Sequence, residues 1–196
     1  MARTATVIGA ASAAVFYAAA IRPWQLNWGA TAHEASRPLL GDDLVPHPTL
    51  RATRAVTVLA TPEDIWPWLL QVGTGRAGWY SYDLIDNFGR PSARTIVPRL
   101  QHLDVGDIVP LTPAGRTGFT VERLLPPRTM VWSTRYDTTW TWQLEPQRDG
   151  STRILSRVRF RLHPSAVSVA IGLAMEFGDG IMVRKMLLNI RSRAET

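Results

Sequence analysis

The residues best suited to chemistry lie close together between positions 79 and 87. Trp79, Tyr80 and Tyr82 place aromatic rings beside the carboxyl of Asp83 and the amide of Asn87. Aromatic walls with a few hydrogen-bonding groups are typical of a pocket mouth that orients a mostly apolar ligand. The alternative is that Trp79 and Tyr80 pack a pair of helices against a sheet.

A second aromatic group comes from later segments that alternate like strands. Trp132, Trp140 and Trp142 fall on one face of that pattern, where they form either a wide aromatic core or the lining of a cavity. Both interpretations can hold together, because each buried indole N–H requires an acceptor that a ligand or water could supply. The predicted ligand-binding set is Trp66, Trp79, Tyr80, Tyr82, Asp83, Trp132, Trp140, Trp142 and Met175.

Catalytic and metal-binding patterns are weak in comparison. Tyr82 with Asp83, or His102, could act as acid or base, and Tyr80 is a further candidate in a cyclase or dehydratase. No order of Ser, His and Asp distinguishes a triad from chance, and no histidine has the spacing of a metal site. Residues 73–75 lack the pattern of a phosphate loop. The sequence therefore predicts no catalytic residue, no metal and no cofactor, and it favours a binding domain over an enzyme.

Composition limits the alternatives. The 196 residues suit one domain, and the absence of cysteine excludes disulfides and zinc–thiolate sites. The net charge of +6 comes from 21 arginines and a single lysine, which raises the possibility of an anionic polymer as partner. The densest arginines, at 153, 157, 159 and 161, alternate along a predicted strand and are expected to face water. We therefore predict no nucleic-acid partner.

The elements that must position these residues follow from pattern. A strand is predicted over 49–60, then a helix capped by Thr61 with Pro62 at its first position, and a short helix over 81–87. Strands are predicted over 107–111, 118–125, 129–136, 138–146 and 152–163, with a type I′ turn at Asp149-Gly150. A last helix over 165–194 is expected to break or bend at 178–180.

The N-terminal residues form a separate region. Residues 4–21 carry no charge and would span about 27 Å as a helix, close to the thickness of a bilayer core. A membrane anchor is favoured, with a cleaved signal peptide, or a helix packed on the body or on a protein partner, as alternatives. Thr31 and Glu34 have the spacing of a capping box. The predicted organisation is an apolar helix over 1–22, a linker packed on the body over 23–48, and a domain over 49–196.

The chain resembles the START-like superfamily, also called SRPBCC, and a bacterial subgroup within it. The resemblance rests on the element order and on the stretches 65–73 and 77–83, with further similarity at 28–31, 41–42 and 106–107. It implies an α+β helix-grip fold, in which a bent antiparallel sheet wraps around a long C-terminal helix. It also implies an internal cavity, since members bind lipids, sterols, polyketides or hormones, and some are enzymes.

These observations predict a membrane-tethered domain that binds a small hydrophobic or amphipathic ligand, either a lipid or a metabolite. The alternatives are a cyclase or dehydratase, or an accessory subunit of a membrane complex held through the N-terminal helix. If the anchor is absent, a cytoplasmic location follows.

Overall fold

A computed structural model describes residues 12, 15–134, 137–162 and 166–196, and all of their side chains except those of 166–171 and 173–175. Six strands form one antiparallel sheet in the spatial order β1-β6-β5-β4-β3-β2, so the first strand pairs with the last. The strands are β1 (Leu50–Val58), β2 (Ile108–Pro110), β3 (Gly118–Leu125), β4 (Thr129–Thr134), β5 (Thr138–Pro146) and β6 (Thr152–Phe160). Predicted strands 118–125 and 138–146 agree with β3 and β5 to the residue.

Five α-helices are defined within the described residues. They are α1 (Arg22–Leu26), α2 (Ala32–Ser36), α3 (Pro62–Leu70), α4 (Asp83–Asp86) and α5 (Ala166–Ala194). A π-helical turn over Tyr17–Ile21 precedes α1, and short 3₁₀ turns occupy Asp42–Leu44 and Pro98–Leu100. Capping boxes begin α2, from Thr31 and Glu34, and α3, from Thr61 and Asp64, because side chain and backbone satisfy each other's free groups.

The long helix α5 runs through 178–180 without the predicted break. Glycine lowers helix propensity, but here the neighbouring chain holds this stretch in place. Asp179 pairs with the buried Arg54 guanidinium of β1 at 2.6 Å. A Cβ at Gly180 would lie 2.4 Å from the amide nitrogen of Gln25, so this glycine allows α1 to approach closely. Tertiary contacts therefore keep the helix continuous here, and Gly180 allows close packing.

The core lies between the inner face of the sheet and α5. Trp132, Trp142 and Ile154 are buried on that face, and Met186 and Ile190 of α5 pack against them. A sheet holding one long helix in this way is the helix-grip arrangement, so the predicted fold class is confirmed.

The outer face of the sheet is covered, and the prediction that the β6 arginines face water is wrong. Residues 29–49, called the strap here, cross this face and aim backbone carbonyls at it. Arg157 is fully buried and donates to the carbonyl oxygens of Arg37 at 2.8 Å and Glu34 at 2.6 Å. The Arg159 guanidinium donates to the carbonyl oxygen of Val45 at 2.8 Å. Strand alternation identifies the arginine face correctly, but it contains no information about a segment more than 100 residues away.

The strap lies very close to the sheet. A Cβ at Gly41, whose φ is +92°, would lie 2.5 Å from the side chain of Val131 on β4. The hydroxyl of Thr141 on β5 donates to the carbonyl of Leu40 at 2.9 Å. Arg153, half-buried, pairs with Glu34 at 2.8 Å. The strap therefore spans β6, β5 and β4 and is part of the folded body.

The β5–β6 hairpin differs from the predicted type I′ turn. Its connection runs over five residues, 147–151, and only Gly150 has a positive φ there, of 83°. The Asp149 carboxylate accepts hydrogen bonds from the backbone N–H of Ser151 at 3.0 Å and from its hydroxyl at 2.7 Å. This local side-chain turn replaces the two-residue turn that Asp-Gly favours.

The described part of the N-terminal region lies against α5. Tyr17 stacks on Phe177 with ring centroids 5.2 Å apart, and Arg22 pairs with Glu176 at 2.9 Å. Val15 and Phe16 are exposed. Within the described residues, no helix is both long enough and apolar enough to cross a bilayer. Residues 4–11, 13 and 14 of the predicted anchor lie outside the described residues.

Candidate functional site

A cavity of about 400 Å³ lies between the inner face of the sheet and α5, with α4 at its mouth. Its walls are mainly apolar and include Trp79, Phe119, Trp140, Met182 and Met186. Two further apolar side chains, Ile85 and Phe88, are exposed at the mouth, and Ser81, Asp86 and Asp179 add polar groups. The volume falls within the range of about 300–1,000 Å³ typical of small-molecule sites.

Two tryptophans of the predicted set form one wall of the cavity. Trp79 and Trp140 lie parallel, with ring centroids 6.0 Å apart and an interplanar angle of 4°. The Trp79 indole N–H donates to the hydroxyl of Thr74 at 2.9 Å, and that of Trp140 donates to the hydroxyl of Ser156 at 2.8 Å. Their polar atoms are satisfied, so both rings present flat apolar surface to the cavity.

Trp132 and Trp142 lie deeper, fully buried, with ring centroids 5.9 Å apart. Neither indole N–H has a hydrogen-bond partner among the described residues. A buried donor without an acceptor costs about 1–3 kcal/mol, so this cluster carries two unused donors next to the cavity wall. Trp66 is also buried in the core, whereas the side chain of Met175 lies outside the described residues.

Tyr80 is a structural residue in this arrangement. Its buried hydroxyl donates to the carbonyl of Trp68 at 3.2 Å and accepts from the amide of Gln71 at 2.8 Å. Burial raises the pKa of Tyr80 to about 12, and the hydrogen bond from Gln71 offsets part of that rise. Its backbone has a φ of +55°, which is uncommon outside glycine, and Asn189 of α5 donates to its carbonyl at 2.8 Å. These contacts join α3, α5 and the loop between α3 and α4.

Tyr82 and Asp83 face away from the cavity. The Asp83 carboxylate accepts hydrogen bonds from the backbone N–H of Ser92, at 3.0 Å, and from its hydroxyl. Tyr82 is exposed and lies under the Lys185 ammonium, 4.4 Å from the ring centroid, on the outer side of α5. The structure therefore does not bring Tyr80, Tyr82 and Asp83 together as an acid–base group within the cavity.

Asp86 is the polar residue of the cavity that sequence reasoning missed. Both of its carboxylate oxygens are buried without a hydrogen-bond partner among the described residues, and so is the hydroxyl of Ser81 beside it. Burial raises the pKa of Asp86 and the nearby Asp83 carboxylate raises it further, while the Ser81 hydroxyl, which lies nearby but outside hydrogen-bond geometry, lowers it in part.

Other chemistry is not indicated at this site. In the ranges that the structure describes, no group of three or more His, Asp or Glu side chains is placed to hold a metal ion. Asp179 at the cavity wall is engaged with Arg54. The cavity therefore offers apolar area, two flat indole rings and one carboxyl–hydroxyl pair.

Comparison with solved structures finds chains with a similar arrangement of elements. An Aha1 dimer from Colwellia psychrerythraea aligns with 75% of this chain and 97% of its own, at 14% identity and a TM-score of 0.41. A polyketide-cyclase-like protein from Corynebacterium glutamicum aligns with 72% of this chain and 88% of its own, at 18% identity and a TM-score of 0.40. A protein from Bacillus halodurans aligns with 73% of this chain and 98% of its own, at 13% identity and a TM-score of 0.45.

No protein-family model and no curated protein matches the chain. The similarity to solved structures concerns the fold alone.

Proposed function

We propose that this protein binds a small hydrophobic or amphipathic molecule in the cavity between the sheet and α5. The observation that carries the proposal is an apolar space of about 400 Å³ with an unpartnered carboxyl at its mouth. Burying apolar ligand surface there gains roughly 25 cal/mol per Å² before the costs of association. The stacked rings of Trp79 and Trp140 suit a flat or chain-like body.

Asp86 and Ser81 would contact the polar end of the ligand. An unpartnered buried oxygen is costly, and a ligand hydroxyl or carbonyl that meets this pair would remove the cost. The Asp86 carboxylate can accept a hydrogen bond, and the Ser81 hydroxyl beside it can donate or accept one. We therefore propose a largely apolar ligand with one hydroxyl or carbonyl group and no requirement for charge.

Native mass spectrometry after purification without detergent tests the proposal directly. The expected result is a co-purified molecule of defined mass that is released on denaturation. A protein of unliganded mass, which also fails to take up apolar probes such as alkanols, would overturn the proposal.

Gly178→Leu sharpens the test, because it places a side chain in the cavity without disturbing packing. Gly178 lines the cavity, and an added Cβ would meet no atom within 4 Å. We expect binding to weaken at least about ten-fold while the helix gains up to about 1 kcal/mol from the loss of glycine. Ser192→Leu, at an exposed position on the same helix, is the matched control and should bind normally. Undiminished binding by Gly178→Leu would place the ligand elsewhere.

A second candidate function is acid–base catalysis on the bound molecule, and Asp86 favours it. A carboxyl with a raised pKa at the edge of an apolar cavity suits proton transfer. Once a ligand is identified, its conversion can be followed by mass spectrometry. Conversion by the wild type and its loss in Asp86→Asn, at ligand concentrations that saturate both proteins, would support an enzyme. Unchanged ligand would support binding alone.

Attachment to a membrane through residues 4–21, and a protein partner held by the same segment, stay predictions that rest on sequence composition. An arginine in the uncharged run costs about 2.5–3.5 kcal/mol at a bilayer centre. If the segment is an anchor, Ala10→Arg should move the protein from the membrane fraction to the supernatant. Ala2→Arg, outside the run, is the control. An unchanged distribution would exclude insertion.

A further inference from the structure

A second concavity, the outer groove, lies on the face of α5 that points away from the sheet. It has a volume of about 480 Å³, and its floor and rim are formed by Trp24, Trp28, Tyr82, Phe177 and Ile181. Trp24, Phe177 and Ile181 are exposed there at 57%, 45% and 54%. The groove and the cavity described above are separated by the helix itself.

Two cations stand over the aromatic floor of this groove. The Arg184 guanidinium carbon lies 5.0 Å from the ring centroid of Trp28 and 5.8 Å from that of Trp24. The Lys185 ammonium lies 4.4 Å from the ring centroid of Tyr82. A cation held against a ring face loses water on that side and keeps its remaining donors free.

Neither cation is neutralised by an acid. Among the described residues, no carboxylate lies within 4.0 Å of Arg184 or Lys185, and the acids on the neighbouring turns of α5 are already paired. Glu176 binds Arg22 at 2.9 Å, and Asp179 binds Arg54 at 2.6 Å. The groove therefore holds two positive charges above an apolar floor, and the nearby acids of α5 are paired with other arginines.

We infer that the outer groove is a binding site for an amphipathic organic anion, with a carboxylate or phosphate between Arg184 and Lys185 and its apolar body on the aromatic floor. The planar guanidinium offers paired donors that match either group. The exposed rings supply apolar area that an inorganic ion would leave uncovered. This site is independent of the ligand site proposed in the cavity, where the polar end of the ligand is uncharged.

Titration calorimetry with monomeric dodecyl phosphate, dodecanoate and dodecanol tests the inference on the full chain. We expect both anions to bind more tightly than the alcohol. Arg184→Gln with Lys185→Gln should weaken anion binding at least about ten-fold and leave alcohol binding in the cavity unchanged. Arg191→Gln, a basic position on the same helix outside the groove, should have no effect.

Three results would overturn the inference. Anion binding that survives the double substitution would remove the cations from the site. Equal affinity for inorganic phosphate would show a charge site with no use for the apolar floor. Binding only to anionic vesicles, with none to the monomeric anions, would make the region a membrane contact. The failure of the cavity proposal is separate, because Gly178→Leu blocks the cavity and leaves the outer groove open.

Discussion

The two faces of strand β6 are both buried, yet they are buried by different interactions. On the inner face, Ile154 and Val158 join an aromatic core that borders a cavity. On the outer face, Arg157 and Arg159 meet the carbonyl oxygens of the strap, and the Arg157 guanidinium also binds Asp42 at 2.7 Å. One alternating strand thus supports an apolar layer on one side and a hydrogen-bonded layer on the other.

The two faces should respond differently to substitution, because their contacts differ in kind. An apolar layer is non-directional, so it can leave a cavity and two unpartnered indole N–H groups. A layer of buried charges and carbonyls is directional, and losing one partner leaves the others without a bond. We therefore expect the outer face to determine stability and the inner face to determine what is bound.

The largest effect is expected from Arg157→Met, which breaks the outer layer at its centre. The substitution keeps an apolar stem but removes the guanidinium that pairs with Asp42 and donates to the strap carbonyls. We expect a loss of about 3–5 kcal/mol in the free energy of unfolding, measured in urea. Arg161→Met is the matched control, since within the described part of the chain the Arg161 side chain makes one hydrogen bond, of 3.3 Å to the carbonyl of His47, and its loss should cost less than about 1 kcal/mol. Equal losses would show that the strap adds little.

A paired substitution on the inner face gives the next largest difference. Trp140→Phe and Trp142→Phe remove the same atoms from neighbouring buried rings. The first breaks a hydrogen bond, from the indole N–H to Ser156 at 2.8 Å, whereas the second removes a donor that has no partner among the residues that the structure describes. We expect Trp140→Phe to be more destabilising by about 1 kcal/mol in thermal or urea unfolding. The reverse order would mean that the Trp142 donor is satisfied in solution.

Asp86→Asn should stabilise the unliganded protein by about 1 kcal/mol at pH 7 while weakening ligand binding. Because the pKa of Asp86 is raised in the folded state, the folded protein binds more protons, and stability falls as pH rises above the ordinary value of 3.8. The asparagine variant lacks this dependence. Urea unfolding between pH 4 and 8 measures it, with exposed Asp104→Asn as the control. A destabilised Asp86→Asn would show that the carboxyl has a partner.

The smallest effect is expected at low pH, where the pair between Glu34 of the strap and Arg153 is lost. The hydrogen bond from Arg153 lowers the pKa of Glu34 to about 2, against an ordinary value of 4.5. Its contribution to stability is therefore complete above pH 4.5 and is lost as pH falls toward 2. In Glu34→Gln, the free energy of unfolding should fall by about 1 kcal/mol less than in the wild type between pH 4.5 and 2. The effect is this small because the pair is partly exposed. Exposed Glu63→Gln is the control, and an identical slope in Glu34→Gln would assign acid sensitivity elsewhere.

The fold was predictable because it depends on local signals. Alternation over 118–125 and 138–146, and the capping residues Thr31 and Thr61, act within a few positions. The covered arginine face was not predictable, since a strand pattern shows which residues share a face but not what lies on it. The unbroken helix at 178–180 depends on Gln25 and Arg54, which lie far away in sequence.

In the candidate site, too, some residues could be predicted from the sequence and others could not. Trp79 and Trp140 were predicted as ligand-binding residues, and both line the cavity. Asp86 was missed because no local pattern shows that its carboxyl oxygens are buried at a cavity without a hydrogen-bond partner among the described residues. Tyr82 belongs to the outer groove, on a side of the helix that periodicity alone does not assign to a ligand.

The strap is synthesised long before the strand whose arginines it binds. The carbonyl of Arg37 and the guanidinium of Arg157 that binds it are 120 positions apart. At roughly 5–20 residues per second, a ribosome needs on the order of ten seconds to add the second after the first. During that interval the strap carbonyls lack the arginine donors that they bind in the folded protein.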